Sequence, residues 1–292
     1  MRRVFACLAT LLLALSWLSG IARAAGEDAS KPLPDKSGYN LLNPTVDEAM
    51  RELSPDRPDK TESPYTVDAG HFQLEMDFAN YTRDDAEGVR TAVWNVAPFN
   101  LKVGLLNNVD LQLVYDNYLQ VHTNDRLLHS GTTQSGFGDF TTRLKINLWG
   151  DDGGQTAFGL LPFVKFPTNT DHLGNDAVEG GMILPLTIKL PADWDMGLET
   201  AASCLRNDVG SGYHAEIIEA VTFDHAIVGK LSGYCEFFSD ISTEGGPGWV
   251  GTVDVGFEYL VTENIQLDCG SNIGVSRAAD DLNVFSGITV RF

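Results

Sequence analysis

Between Gly70 and Tyr81 the chain reads GHFQLEMDFANY, with apolar and polar side chains taking turns. Phe72, Leu74, Met76 and Phe78 fall on one side of an extended strand; Gln73, Glu75, Asp77 and Ala79 fall on the other. Successive strand side chains point to opposite faces, so one face is apolar and the other carries two carboxylates and an amide. One such strand would suit a soluble sandwich. The pattern, however, recurs down to the last residue, Phe292. A sheet that is oily outside, polar inside and closed on itself is an all-β, transmembrane, antiparallel up-and-down β-barrel. Closure requires Gly70–Tyr81, the first strand, to pair with Asn283–Phe292, the last.

Ten further strands are expected between these two: Val89–Val103, Val109–Val121, Phe140–Leu148, Gln155–Pro167, Gly180–Leu190, Trp194–Leu205, Tyr213–Phe223, Ile227–Phe238, Trp249–Tyr259 and Ile265–Val275. The clearest places Phe140, Thr142, Leu144, Ile146 and Leu148 outward and Asp139, Thr141, Arg143, Lys145 and Asn147 inward. Short turns near residues 107, 152, 192, 224 and 262 alternate with longer links near 85, 129, 173, 208, 243 and 279, including a polar link His122–Gly136. An even number of strands, with short turns at one rim and long loops at the other, is the barrel signature. Strands of about 9–11 residues suffice to span a bilayer. Trp94, Tyr118, Trp149, Trp194, Tyr213 and Trp249 lie near strand ends, as interfacial girdles require. Ordinary packing would explain any one of them; their common placement is the signal.

The N-terminus agrees with that destination. Arg2 and Arg3 precede an apolar run, Val4 to Leu18, which ends in Ala22-Arg23-Ala24. These are the charged region, apolar region and cleavage site of a signal peptide over residues 1–24, so the chain is exported; together with the barrel pattern this places it in the outer membrane of a Gram-negative envelope. Cys7 reads as an ordinary member of the apolar run rather than a lipoprotein anchor. Removing the signal leaves 17 basic and 40 acidic residues, a net charge of −23. Such acidity argues against nucleic acid as a partner, since phosphate binders are basic, and against a polybasic membrane-surface mode. Solvated loops and turns account for it as well. No later segment has the run of about 18 apolar residues that a spanning helix needs; the nearest, Gly181–Leu190, is broken by Pro185.

Three cysteines remain, Cys204, Cys235 and Cys269, and an odd count excludes a complete disulfide framework. Small apolar filler is the expected role. With no CxxC and no HExxH, neither a metal nor a cofactor is expected.

Residues 25–65 form a lead-in that holds half of the twelve prolines. Pro44–Leu53 could make a short helix capped by Thr45, with Glu48 as its capping-box partner. The rest is either a loose periplasmic tail, as unanchored termini usually are, or a segment that tucks into the mouth of the barrel (residues 66–292) as a plug.

The run from Ser54 to Glu75, SPDRPDKTESPYTVDAGHFQLE, resembles the opening signature of an exported barrel family named for a "putative MetA pathway of phenol degradation". Ser135-Gly136-Phe137-Gly138-Asp139-Phe140, leading into Lys145, and Leu160–Pro167 (LLPFVKFP) are similar to its habits too. The resemblance covers residues 54–292. It implies an outer-membrane barrel of the kind often labelled a transporter, distantly similar to channels for fatty acids and aromatic hydrocarbons. It supplies no substrate residues.

The residues themselves suggest a lumen lined by Glu75, Asp77, Asp110, Gln112, Asp139, Arg143 and Lys145. Polar side chains simply filling the interior are one reading; a constricted pore or binding site for a small solute is the other. Enzyme signatures are missing: there is no GxSxG elbow, P-loop or Rossmann fingerprint, and six histidines are scattered. His214 with Ser203 is the one conceivable hydrolytic pair. The expected function is therefore a non-enzymatic outer-membrane channel or transporter for small solutes, aromatic or hydrophobic ones among them. A non-conducting structural or surface-interaction barrel is the alternative, and an outer-membrane hydrolase the third. Its partners would be membrane lipid, a small solute, and the barrel-assembly machinery reached through the strand ending at Phe292.

Overall fold

The computed structural model describes residues 35–207, 209–244 and 248–292. The signal peptide, Cys7 and the first part of the lead-in fall outside them. The alternating stretches form β1 (Phe72–Ala86), β2 (Val89–Val96), β3 (Phe99–Leu106), β4 (Val109–Tyr115), β5 (Tyr118–Asp125), β6 (Ser130–Gly136), β7 (Phe140–Trp149) and β8 (Thr156–Phe166). They continue as β9 (Glu179–Leu190), β10 (Trp194–Arg206), β11 (Tyr213–Val228), β12 (Leu231–Ser242), β13 (Val250–Thr262), β14 (Ile265–Gly274) and β15 (Leu282–Arg291). Pairing is antiparallel throughout, and β1 meets β15 from Gln73↔Arg291 to Arg83↔Leu282, which closes the ring.

The 15 segments make a barrel of 12 passes, because three passes are each broken once. The first break is at Ala97-Pro98, where Ala97 has φ 54° and Pro98 brings no N–H to the ladder. β1 accordingly pairs with β3 over its first half and with β2 over its second. The other breaks, at Asp116-Asn117 and Phe137–Asp139, lie beside it. Gly138 N–H donates to the Asp116 carbonyl at 2.9 Å, and Asn95 Nδ2 donates to Asp116 Oδ1 at 2.8 Å. A Cβ on Gly138 would meet the Asp116 Cβ at 2.5 Å, so glycine permits this approach. Above the breaks β6 pairs with β5 alone, so β5 and β6 stand as a hairpin beyond the edge of β8.

Burial is inverted relative to a soluble protein. Among the described residues ten apolar side chains are buried against 26 polar or charged ones, while Phe257, Trp149, Leu148 and Val255 lie exposed. Along β1 the exposed ends are Phe72 and Phe78, and Gln73, Glu75 and Asp77 are buried between them. A charged interior behind an apolar wall is stable only where the wall faces lipid. The six aromatics named for the girdles are all exposed. One apolar patch does face inward: Leu161, Ile183 and Ala201, with Phe163 and Ile218 packed against them.

Several sequence expectations need correction. His122–Gly136 is not a link; β5 and β6 pair through it from Leu119↔Gly136 to Asp125↔Ser130. Both faces of this hairpin are polar, so alternation vanished although backbone pairing did not. The tight turn expected at Asp224-His225 falls instead at Gly229-Lys230, with Gly229 at φ 60°. Asp224 is mid-strand and sits opposite Tyr234; its turn-like composition reflects a polar lumen. The helix over Pro44–Leu53 shrinks to a single 3-10 turn, Asp47–Ala49, with no side-chain cap. Thr45 is instead occupied by pairing: its N–H donates to Ala69 at 2.9 Å, and its carbonyl meets His71 Nε2 at 2.8 Å. So short a segment cannot offset the cost of helix nucleation against such bonds. Cys204, Cys235 and Cys269 are free and exposed on the outer wall, as small apolar residues there can be.

Candidate functional site

The prolines of residues 51–66 keep this stretch extended and strip donors from it, and its charges then find partners on the inward faces of the strands. Lys36 and Arg51 hold the rim end. Lys36 Nζ lies 2.7 Å from Asp152 Oδ1, and Arg51 Nε donates to the same oxygen at 3.0 Å. Arg51 also donates to the Thr66 carbonyl at 2.8 Å and to Asn107 Oδ1 at 2.7 Å. Close by, Gly104 lets the returning chain cross: a Cβ there would collide with the Asp68 carbonyl.

Deeper in, Asp56 sits between two lysines, with Oδ2 2.5 Å from Lys102 Nζ and Oδ1 2.5 Å from Lys145 Nζ. Lys102 also contacts Glu75, and both lysines are essentially without solvent exposure. Burial alone would raise the Asp56 carboxyl, but the charges of Lys102 and Lys145 hold it well below the usual range. On the far side Arg57 bridges Asp268 and Asp77, each at 2.6 Å. Lys60 Nζ reaches Asp254 at 3.1 Å and donates to Thr252 Oγ1 at 2.8 Å. Thr61 N–H donates to Glu236 at 2.8 Å, Glu62 N–H donates to Glu199 at 2.7 Å, and the Glu62 carboxylate pairs with Arg143. The segment thus touches β1, β3, β7, β10, β12, β13 and β14, and so crosses the lumen.

Two cavities flank this crossing. One, of about 540 Å³, lies toward the long loops, with Asn80, Thr82, Asp280 and Asn283 in its lining. The other, of about 520 Å³, lies toward the short turns, with Asp193, Gly229 and Lys230. Arg57, Asp59 and Glu62 belong to both linings, so these three separate the two spaces.

Of the lumen residues expected from sequence, Glu75, Asp77 and Arg143 line the long-loop cavity. Asp110, Gln112 and Lys145 are fully buried beneath the crossing segment; Asp110 lies opposite Lys145, and Gln112 opposite Arg143. Val67 N–H donates to Asp110 at 3.0 Å. Asp139 stands apart at a break in the wall, where it accepts from the Thr168 and Asn169 N–H groups at 3.0 and 3.1 Å. Sequence reasoning missed Asp56, Arg57, Lys60, Thr61, Glu62, Lys102, Glu199, Glu236, Asp254 and Asp268. The signal for the first five was present: charges packed between prolines in SPDRPDKTESP. The His214 ring faces Asn207 Oδ1 at 3.1 Å and Glu216 Oε1 at 3.4 Å rather than Ser203.

The rim tether responds to acid. Burial pulls the Asp152 carboxyl upward, but hydrogen bonds from Lys36, Asn107 and Arg51 outweigh it and hold it at about 2. A carboxyl depressed by folding contributes stability above its ordinary value, and that contribution fades as pH falls toward the folded one. Residues 36–51 are therefore expected to loosen between about pH 4 and pH 2 while the barrel stays closed. Amide exchange followed across that range checks this, and unchanged protection there would refute it.

An apolar outer wall, a charged interior and a ring closed from first strand to last define a transmembrane β-barrel of the outer-membrane type. The chain belongs to the family described as "Putative MetA-pathway of phenol degradation", whose pattern matches residues 55–292. Among solved structures it resembles the crystal structure of an outer membrane channel from Pseudomonas putida F1: TM-score 0.57 at 12% identity, over 82% of this chain and 100% of that one. A NanC porin superposes at TM-score 0.48 with 10% identity, over 74% of this chain and 98% of that one. The CymD monoaromatic hydrocarbon channel does so at 0.41 with 8% identity, over 76% and 87%. No curated protein matches the chain.

Proposed function

We propose that this protein is an outer-membrane channel that passes small solutes through a lumen constricted by residues 51–66. One observation carries the reading: two cavities of similar size meet at a crossing made by Arg57, Asp59 and Glu62. A barrel built only as a scaffold needs no such pair of vestibules. Residues 1–24 act as the export signal, and the strand ending at Phe292 is the one offered to the barrel-assembly machinery. Glu75, Asp77 and Arg143 line the path directly; Asp110, Gln112 and Lys145 support it by holding the segment, and Asp139 holds the loop after β8. The description of the family supports aromatic solutes among those that pass.

The refolded mature chain is expected to give small, discrete conductance steps in planar bilayers and to admit small neutral aromatic solutes in liposome-swelling assays. A well-folded barrel that passes no solute would sink the proposal. It would favour the second reading, a non-conducting barrel acting through its loops, which the dense ion pairing across the lumen supports.

A further inference from the structure

Most lumen carboxylates have cations of their own: Asp56 has Lys102 and Lys145, Asp77 and Asp268 have Arg57, and Asp254 has Lys60. The short-turn cavity is different. Asp59, Asp193, Asp195, Asp224 and Glu258 all line it, and among the described residues none of them lies within ion-pairing distance of a cation. Arg57 also lines it but is committed to Asp77 and Asp268, and the Lys230 ammonium donates to the Val261 carbonyl at 3.0 Å. Lys189 sits across from Asp195 on β9 without forming a bridge.

Two further features point to a missing positive charge. Asp195 and Asp224 are directly opposite each other on neighbouring strands. Like charges in that position repel. Gln266, only 6% exposed, lines the same cavity with an amide nitrogen that has no partner. A half-turn of that amide, which leaves its shape unchanged, presents the carbonyl oxygen as a neutral ligand. Asp59 agrees: burial first, then the charges of Glu236, Asp224 and Glu258, push its carboxyl well above the usual range.

We infer that the short-turn cavity is a cation-selective vestibule that takes small monovalent and organic ammonium ions, with Asp195, Asp224 and Glu258 as the residues that set the preference. The acids are too dispersed to coordinate a metal; among the described residues no three metal-ligating side chains converge. A cavity of about 520 Å³ instead suits a hydrated ion or a protonated amine. Rings of carboxylates act on permeating ions through their field without direct coordination. The inference rests on the channel reading and names the charge class that passes.

The test is the reversal potential of the mature chain in planar bilayers under a tenfold KCl gradient. A potassium-to-chloride permeability ratio of about five or more is expected, falling at least about threefold in D195N/D224N. A ratio at or below one, or an unchanged ratio in the folded double variant, would overturn it; E258Q serves if the double variant does not fold. Calorimetric titration of spermidine into detergent-folded protein reads the same site without conduction, and about tenfold weaker binding is expected in the variant. Equal binding in both would overturn the inference. A silent barrel that still binds spermidine in this way would defeat the channel reading alone, and a conducting barrel without cation preference would defeat this one alone.

Discussion

Replacing Asp56 with alanine is expected to release residues 51–66 from the lumen. The substitution strips Lys102 and Lys145 of a shared carboxylate while both ammonium groups stay shut away from water. Removing one partner from such a buried arrangement costs about 3–5 kcal/mol. The barrel itself is held by its closed ladder, so the loss falls on the segment. Trypsin should then cut after Lys60, and bilayer conductance should rise several-fold above wild type. Asp56→Glu, which keeps the charge, should retain most of the protection. If Asp56→Ala leaves both proteolysis and conductance as they were, the segment is not held by this pair.

Val255→Arg is expected to be as damaging for the opposite reason. Val255 is 44% exposed, lies mid-strand on β13, and is flanked by the buried Asp254. Its exposure is to lipid, and an arginine near the bilayer midplane costs a barrel about 2–4 kcal/mol. Refolding into vesicles should fail or yield a form that melts far earlier, while Val255→Leu behaves as wild type. In a soluble sandwich the same change at a surface valine would be nearly silent, so the experiment separates the two architectures.

The period-two pattern made the barrel legible because lipid demands an unbroken apolar face along each pass. Phe72 to Phe78 and Phe140 to Leu148 show it plainly. Where the chain leaves the bilayer that demand ends, which is why the polar stretch from His122 to Gly136 read as a link. The register of β11 was misjudged at Asp224 because a lumen-facing aspartate and a turn aspartate look alike in sequence. The inward charges of β1, β4 and β7 were readable from alternation alone. Their partners were not: Asp56, Arg57 and Lys60 occupy a stretch without periodicity, and only the fold brings them within reach of Lys102, Asp268 and Asp254.

The three neighbouring breaks in the wall give the barrel a lopsided crown. β5 and β6 run past the level where the neighbouring β8 stops at Phe166, so the wall steps down between β6 and β8. At that step the free edge of β6 offers backbone N–H and C=O groups that no neighbouring strand among the described residues takes up.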